Sequence, residues 1–117
     1  MFINLTPNVI KVQVQNTARG TFHIRAYAPE PVSARVAAVE EVIGLIDTTG
    51  LTFTVSRHTF GKIENLPEPQ AGVVFIVSGM VRDALDGRPD VFAPDTGKSA
   101  VRNQQGQVEF VTCLRTK

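Results

Sequence analysis

Ser78, Gly79, Arg82, Arg88, Asp90, Lys98 and Arg102 are the residues whose types and spacing best suit chemistry, and that chemistry is the holding of an anion. Ser78-Gly79 follows the most concentrated apolar run, Val73 to Val77, and precedes Val81, Ala84 and Leu85 at helical spacing. A serine at that junction accepts hydrogen bonds from the orphan N–H groups of a helix's first turn. The remaining N–H groups and the helix dipole favour an anion, and Gly79 lets one approach the backbone. Arg82 lies one turn in, Arg88 and Asp90 follow the helix, and Lys98 and Arg102 come from the loops beyond, all suited to charge-assisted hydrogen bonds with a phosphate or carboxylate. The same residues also have a structural reading, in which Ser78 caps a helix and an Arg88–Asp90 ion pair pins the turn after it.

The other chemistry-bearing groups do not assemble into a catalytic set. Gly97-Lys98-Ser99 imitates the end of a phosphate-binding P-loop, but Phe92 stands where that motif needs its first glycine. Asp95-Thr96-Gly97 imitates the aspartic-protease triplet, yet Pro94 precedes it and only 20 residues follow. His23, His58 and Cys113 are too few for a metal cage, and Cys113 in a terminal apolar stretch reads as a small core hydrophobe. Glu40-Glu41, with Glu64 and Glu68, read as solvated carboxylates. No catalytic residue, metal or cofactor is implied.

Composition narrows the classes further. The 117 residues suit one domain with its own core, and a net charge of +1 with scattered Lys and Arg gives no nucleic-acid footprint. A single cysteine forbids an intrachain disulfide. The first residues lack a basic and apolar leader, and no apolar run approaches the roughly 20 residues of a membrane helix. The expectation is a cytoplasmic protein without membrane or nucleic-acid partners.

The elements that must position the candidate site are mostly strands. Phe2 to Leu5 forms a short strand ended by Thr6-Pro7-Asn8. Ile10, Val12 and Val14, then Phe22, Ile24 and Ala26, alternate with polar residues as half-buried strands do. Residues 33–46 are open between a helix capped by Ser33 and a strand, and Val42-Ile43-Gly44-Leu45-Ile46 favours extended structure in the second half. A turn at Asp47-Thr48-Thr49-Gly50 joins it to an alternating Leu51–Val55 partner, and Phe60–Ile63 makes one more strand. Leu66–Gln70 is a stiff proline loop, Val73–Val77 a buried central strand, and the helix spans about 78–86 with Gly87 and Pro89 stopping it. Val91–Ala93, Ala100–Asn103 and Gln107–Leu114 close the chain as strands. The fold class is β-rich α+β: a mostly antiparallel sheet or partly open barrel with one short helix, in a single domain over 1–117.

Asn4-Leu5-Thr6-Pro7, Leu66-Pro67-Glu68-Pro69, Ile76-Val77-Ser78, Arg88-Pro89-Asp90-Val91, Pro94-Asp95 and Val101-Arg102-Asn103, in that order, resemble a family of small, mostly uncharacterised proteins of bacteriophages, prophages and some bacteria. That family typically begins Asn-Leu-Thr-Pro-His; this chain carries Asn8 in place of the histidine. The resemblance implies an accessory protein that disables host defences or adapts host enzymes. One physically sensible form is a non-enzymatic sponge that sequesters a small anionic ligand such as a nucleotide signal, with Phe92 or Tyr27 available for stacking. The alternatives are a protein-interaction or virion-accessory module using an edge strand or the Leu66–Gln70 loop, and a small hydrolase around Asp95, Ser78 or Cys113. A homo-oligomer or a host protein stands as the further partner.

Overall fold

The computed structural model describes all of residues 1–117. Its centre is a four-stranded sheet in the order β1 (Phe2–Asn4), β6 (Val74–Ile76), β7 (Val91–Pro94), β10 (Leu114–Arg115). β6 runs parallel to both neighbours, and β10 pairs antiparallel with β7. Between β1 and β6 the chain makes two excursions, the hairpins β2 (Ile10–Asn16) with β3 (Thr21–Tyr27) and β4 (Arg35–Thr48) with β5 (Leu51–Glu64). The helix α1 (Gly79–Asp83) is the crossover from β6 to β7, and β8 (Val101–Arg102) with β9 (Val108–Phe110) forms a last small hairpin. The architecture is β-rich with one short helix and no closed barrel.

The Val73–Val77 run is buried on both sides, which is why it reads as continuously apolar rather than alternating. Val73, Phe75 and Val77 point into a core with Leu5, Val81 and Val91, and Phe75 is wholly enclosed. Val74 faces the other way, where Phe2, Phe92 and Leu114 meet Val12 and Val14 of β2 around an apolar cavity of about 320 Å³. β2 is held there on its outer edge as well, since Gln13 N–H donates to the Val111 carbonyl and Val111 N–H to that of Lys11.

Asn4 fixes where the excursions begin. Its side chain is buried, and its Nδ2 donates to the carbonyls of Asn8 and Tyr27, both at 2.8 Å. Its Oδ1 accepts from Thr6 N–H at 2.9 Å and Thr6 Oγ1 at 2.7 Å, so every polar valence of the amide is used. The turn 4–8 and the end of β3 are thereby tied to one side chain. At position 8 the contact is made by the backbone carbonyl, so Asn8 meets it whatever side chain stands there.

Several expectations give way. Residues 35–48 are strand throughout, and the Phe60–Ile63 strand is the far end of β5, so two 14-residue strands form one continuous hairpin. Two bulges, near Ala37 and near Ile43, bend it. Its turn, Thr49-Gly50, has positive φ at both residues, 49° and 78°, as the twist of a two-residue hairpin loop demands. β3 and β5 are not half-buried, because no layer covers them: Phe22, Ile24, Leu51 and Phe53 are all exposed. The helix stops at Asp83 with Ala84 as its C-cap, and Gly87 takes φ 71° in the loop after it. The Gln107–Leu114 strand breaks after Phe110, leaving Cys113 exposed instead of in the core.

The β4–β5 arm governs the shape. The molecule measures 64 × 37 × 24 Å with a radius of gyration of 18.2 Å, where a compact chain of this length has about 13 Å. The arm is roughly 45 Å long at 3.3 Å per residue.

Two substitutions separate core from arm. Phe75→Ala should lower stability by about 3–5 kcal/mol, read as a fall in the denaturant midpoint. Thr49→Asn, which places a residue tolerant of positive φ in a turn now holding a β-branched one, should raise the melting temperature or leave it unchanged.

Candidate functional site

The junction between β6 and α1 forms as its sequence dictates. Ser78 is the N-cap in extended conformation, and its Oγ accepts from Val81 N–H at 3.3 Å. The helix beyond it has only five residues, so few aligned peptide dipoles stand behind it. Gly79 is small for a reason within the chain: a Cβ there would meet the Arg115 guanidinium at 2.7 Å. That guanidinium belongs to Asp83, which accepts from Arg115 Nη1 at 2.9 Å and Nη2 at 3.4 Å.

The arginines proposed for an anion are each engaged by the protein. Arg82 is buried, and its Nη1 donates to the Leu85 carbonyl and Nη2 to Thr116 Oγ1 at 2.9 Å, while Nε donates to no protein group. Arg88 grips Asp90 with both Nε and Nη2, at 2.9 and 3.0 Å, and Nη2 also donates to the Pro67 carbonyl at 3.0 Å. Arg102 donates to the carbonyls of Gly106 and Thr96, both at 2.8 Å, and so staples the β8–β9 hairpin. Lys98 is exposed on the turn before β8. The seven residues therefore divide among three places: the helix and chain end, the proline loop, and the β8–β9 hairpin. Tyr27 and Phe92 are likewise occupied. Tyr27 meets Phe2 edge-to-face at 5.0 Å, and Phe92 lines the apolar cavity beside Phe2.

The electrostatics reflect these pairings. The Arg88 hydrogen bonds hold the Asp90 carboxyl below its ordinary range, and Asp90 in turn raises the guanidinium. At the chain end, Arg115 lowers Asp83, and Lys117, at 2.6 Å, lowers Asp86. Four charges thus fasten the last residues onto the helix and the turn after it. Asp95 makes a local turn by accepting from Gly97 N–H at 3.0 Å, and Cys113 Sγ lies 3.6 Å from its Oδ2 and 3.4 Å from Ser99 Oγ. No histidine joins that group, and the Asp95 carboxylate is the acceptor that faces the thiol.

Two features escaped the sequence. The first is a cleft of about 560 Å³ between the β2–β3 and β8–β9 hairpins, with Val9, Ile24, Val108 and Phe110 as apolar wall and Lys11, Asn103, Gln107 and Glu109 as polar groups. Its lining comes from residues more than 80 positions apart, for example Lys11 and Asn103, with no shared motif. The second is the arm. Cross-strand pairing puts Ile46 beside Phe53 and Gly44 beside Val55 on one face, with Leu45 beside Thr54 and Val42 beside Ser56 on the other. Both faces are thus apolar. Leu45 and Leu51 are each 70 % exposed and Val42 65 %. The Val42–Ile46 run carried this signal, since apolar residues at adjacent positions point to opposite faces of a strand.

Arg88→Ala should destabilise the fold by roughly 1.5–3 kcal/mol, because Asp90 and the Pro67 carbonyl lose a charged donor at a site where both ionic side chains are under one-fifth exposed. The pH dependence has a definite sign. Asp90 has a depressed folded-state pKa, so its contribution is complete above the unfolded value of about 4 and is lost as pH falls through the folded value. Acid titration of the melting temperature should be steeper for the native chain than for Asp90→Asn.

No protein family, curated protein or solved structure matches this chain.

Proposed function

We propose that this is a non-enzymatic accessory protein that works by binding another macromolecule through the β4–β5 arm. The observation that carries this reading is the arm's composition: a hairpin apolar on both faces, projecting from the core, with two long strand edges unpaired. A two-stranded hairpin alone in water is marginal at best, and soluble proteins seldom leave such a surface uncovered. Of the devices that keep edge strands from pairing, the arm has two bulges, but β4 has no lysine or proline and β5 has Lys62 near its base alone. An interaction module of the phage type fits these features, and the internal pairings of Arg82, Arg88 and Arg102 favour it over anion holding at Ser78–Arg102.

Shortening the arm tests this directly. Ala38 and Phe60 are paired, so replacing residues 39–59 by Asn-Gly closes a tight hairpin below them. The shortened protein should keep a cooperative melting transition, since the main core cluster lies outside the deletion. It should also lose the complex that the full chain forms in extracts of its host, read as a shift in sedimentation. Retention of that complex would sink the reading.

The cleft favours a second reading, a small-ligand binder of the sponge type. Its volume suits a nucleotide, and its apolar wall faces the Lys11 cation and two amides that could hold a phosphate, with the Glu109 carboxylate opposing one. A panel of nucleotides and cyclic dinucleotides should then raise the melting temperature, and Lys11→Ala should abolish the shift. No shift across the panel would remove it.

A further inference from the structure

We infer that the partner of the arm is a second copy of this chain, the two arms crossing antiparallel about a two-fold axis. The inference rests on the reading of the arm as the binding element and adds the identity of what it binds.

Availability is the first consideration. The arm's own stability depends on cover, so its occupant is needed whenever the chain folds, and another copy is the one molecule sure to be present then. Placement is the second. Of the eight large apolar residues exposed between Val39 and Phe60, Val39, Ile46, Leu51 and Phe53 share the face of Arg57 and Glu41, and a copy crossing that face covers all four.

Charge chooses the geometry. The arm holds the cations Arg35, Arg57 and Lys62 against the anions Glu40, Glu41, Asp47 and Glu64, so it neither repels a copy strongly nor selects a highly charged partner. Near mid-arm, Arg57 Nη2 lies 3.3 Å from Glu41 Oε2, both more than half exposed. They share the face that carries Phe53, Ile46 and Val55. An antiparallel two-fold crossing lays each Arg57 near the other copy's Glu41, whereas a parallel stack brings the Asp47 tips together. The crossing is isologous, so the same patch serves both copies and the contact closes at two. It also carries each tip, with Leu45 and Leu51, to the base of the opposite arm, where the second copy's sheet begins.

Sedimentation equilibrium of the purified full-length protein at micromolar concentration should report twice the 12.7 kDa chain mass. Leu51→Lys with Phe53→Lys should give a monomer that keeps the melting transition of the Asn-Gly shortened protein, showing that the core still folds. Glu41→Lys should weaken association at least tenfold, and adding Arg57→Glu should restore it. A native chain that stays monomeric overturns the inference, and if the arm still captures a different protein the interaction reading survives alone. A dimer indifferent to the arm substitutions overturns the inference, and the interaction reading then stands or falls on the arm-dependent host complex. A trimer or larger ring dissociated by the same substitutions overturns the two-fold crossing.

Discussion

A buried primary amide has four hydrogen-bonding valences, and leaving any of them empty in a core is costly. Asn4 meets three of them within four residues and the fourth at the Tyr27 carbonyl, 23 residues on, and the geometry that satisfies them sets the path of the first excursion. The chain turns at Thr6-Pro7, β3 ends with the Tyr27 carbonyl on the same amide, and Glu30 N–H returns to the Asn4 carbonyl. Both excursions thus start and stop beside β1, which can then run parallel to β6 with some 70 residues inserted between them. The Met1 ammonium, donating to the Gly72 carbonyl at 2.7 Å, closes the same junction from the other side.

β6 depends on that closure. Three residues make a weak strand, but with parallel partners on each edge and packing on each face it becomes the most enclosed part of the molecule. The helix after it is short because its task is to turn the chain toward β7, and Arg82, Arg115 and Lys117 clamp the chain end over it. Arg88 performs the analogous task for the proline loop by joining the Pro67 carbonyl to Asp90. Three of the segments that stand out in the sequence, at Asn4–Pro7, Leu66–Pro69 and Arg88–Val91, are therefore structural in this fold: one encloses an amide, and the other two hold each other.

Most of those polar groups are engaged within the chain, whereas the arm is not. The arm departs from the body at Arg35 and Glu64, beyond the Val36 and Ile63 side chains that still pack on the core. From there outward nothing within the chain covers it. Apolar residues on both faces of a lone hairpin make sense in an assembly, where the energy of burial is recovered between molecules instead of within one.

The sequence by itself determined the local elements. Alternation revealed β2 and the Leu51–Val55 part of β5, the Val73–Val77 run revealed the buried strand, and Ser78 marked the helix start, because periodicity, capping and turn chemistry act over a few neighbouring residues. It also contained the Arg88–Asp90 pair as one of two readings, since residues two apart on a turn can meet without help. It did not determine burial. Phe22, Phe53 and Cys113 follow the same patterns as core residues, and only the absence of an overlying layer leaves them exposed. Nor did it determine which cations were free, because Arg82 finds Thr116, Arg88 finds Pro67 and Arg115 finds Asp83 across separations of 34, 21 and 32 residues. Such pairings depend on where the whole chain is folded, and for this protein they decided that the Ser78–Asp90 segment holds the structure together while the arm faces outward.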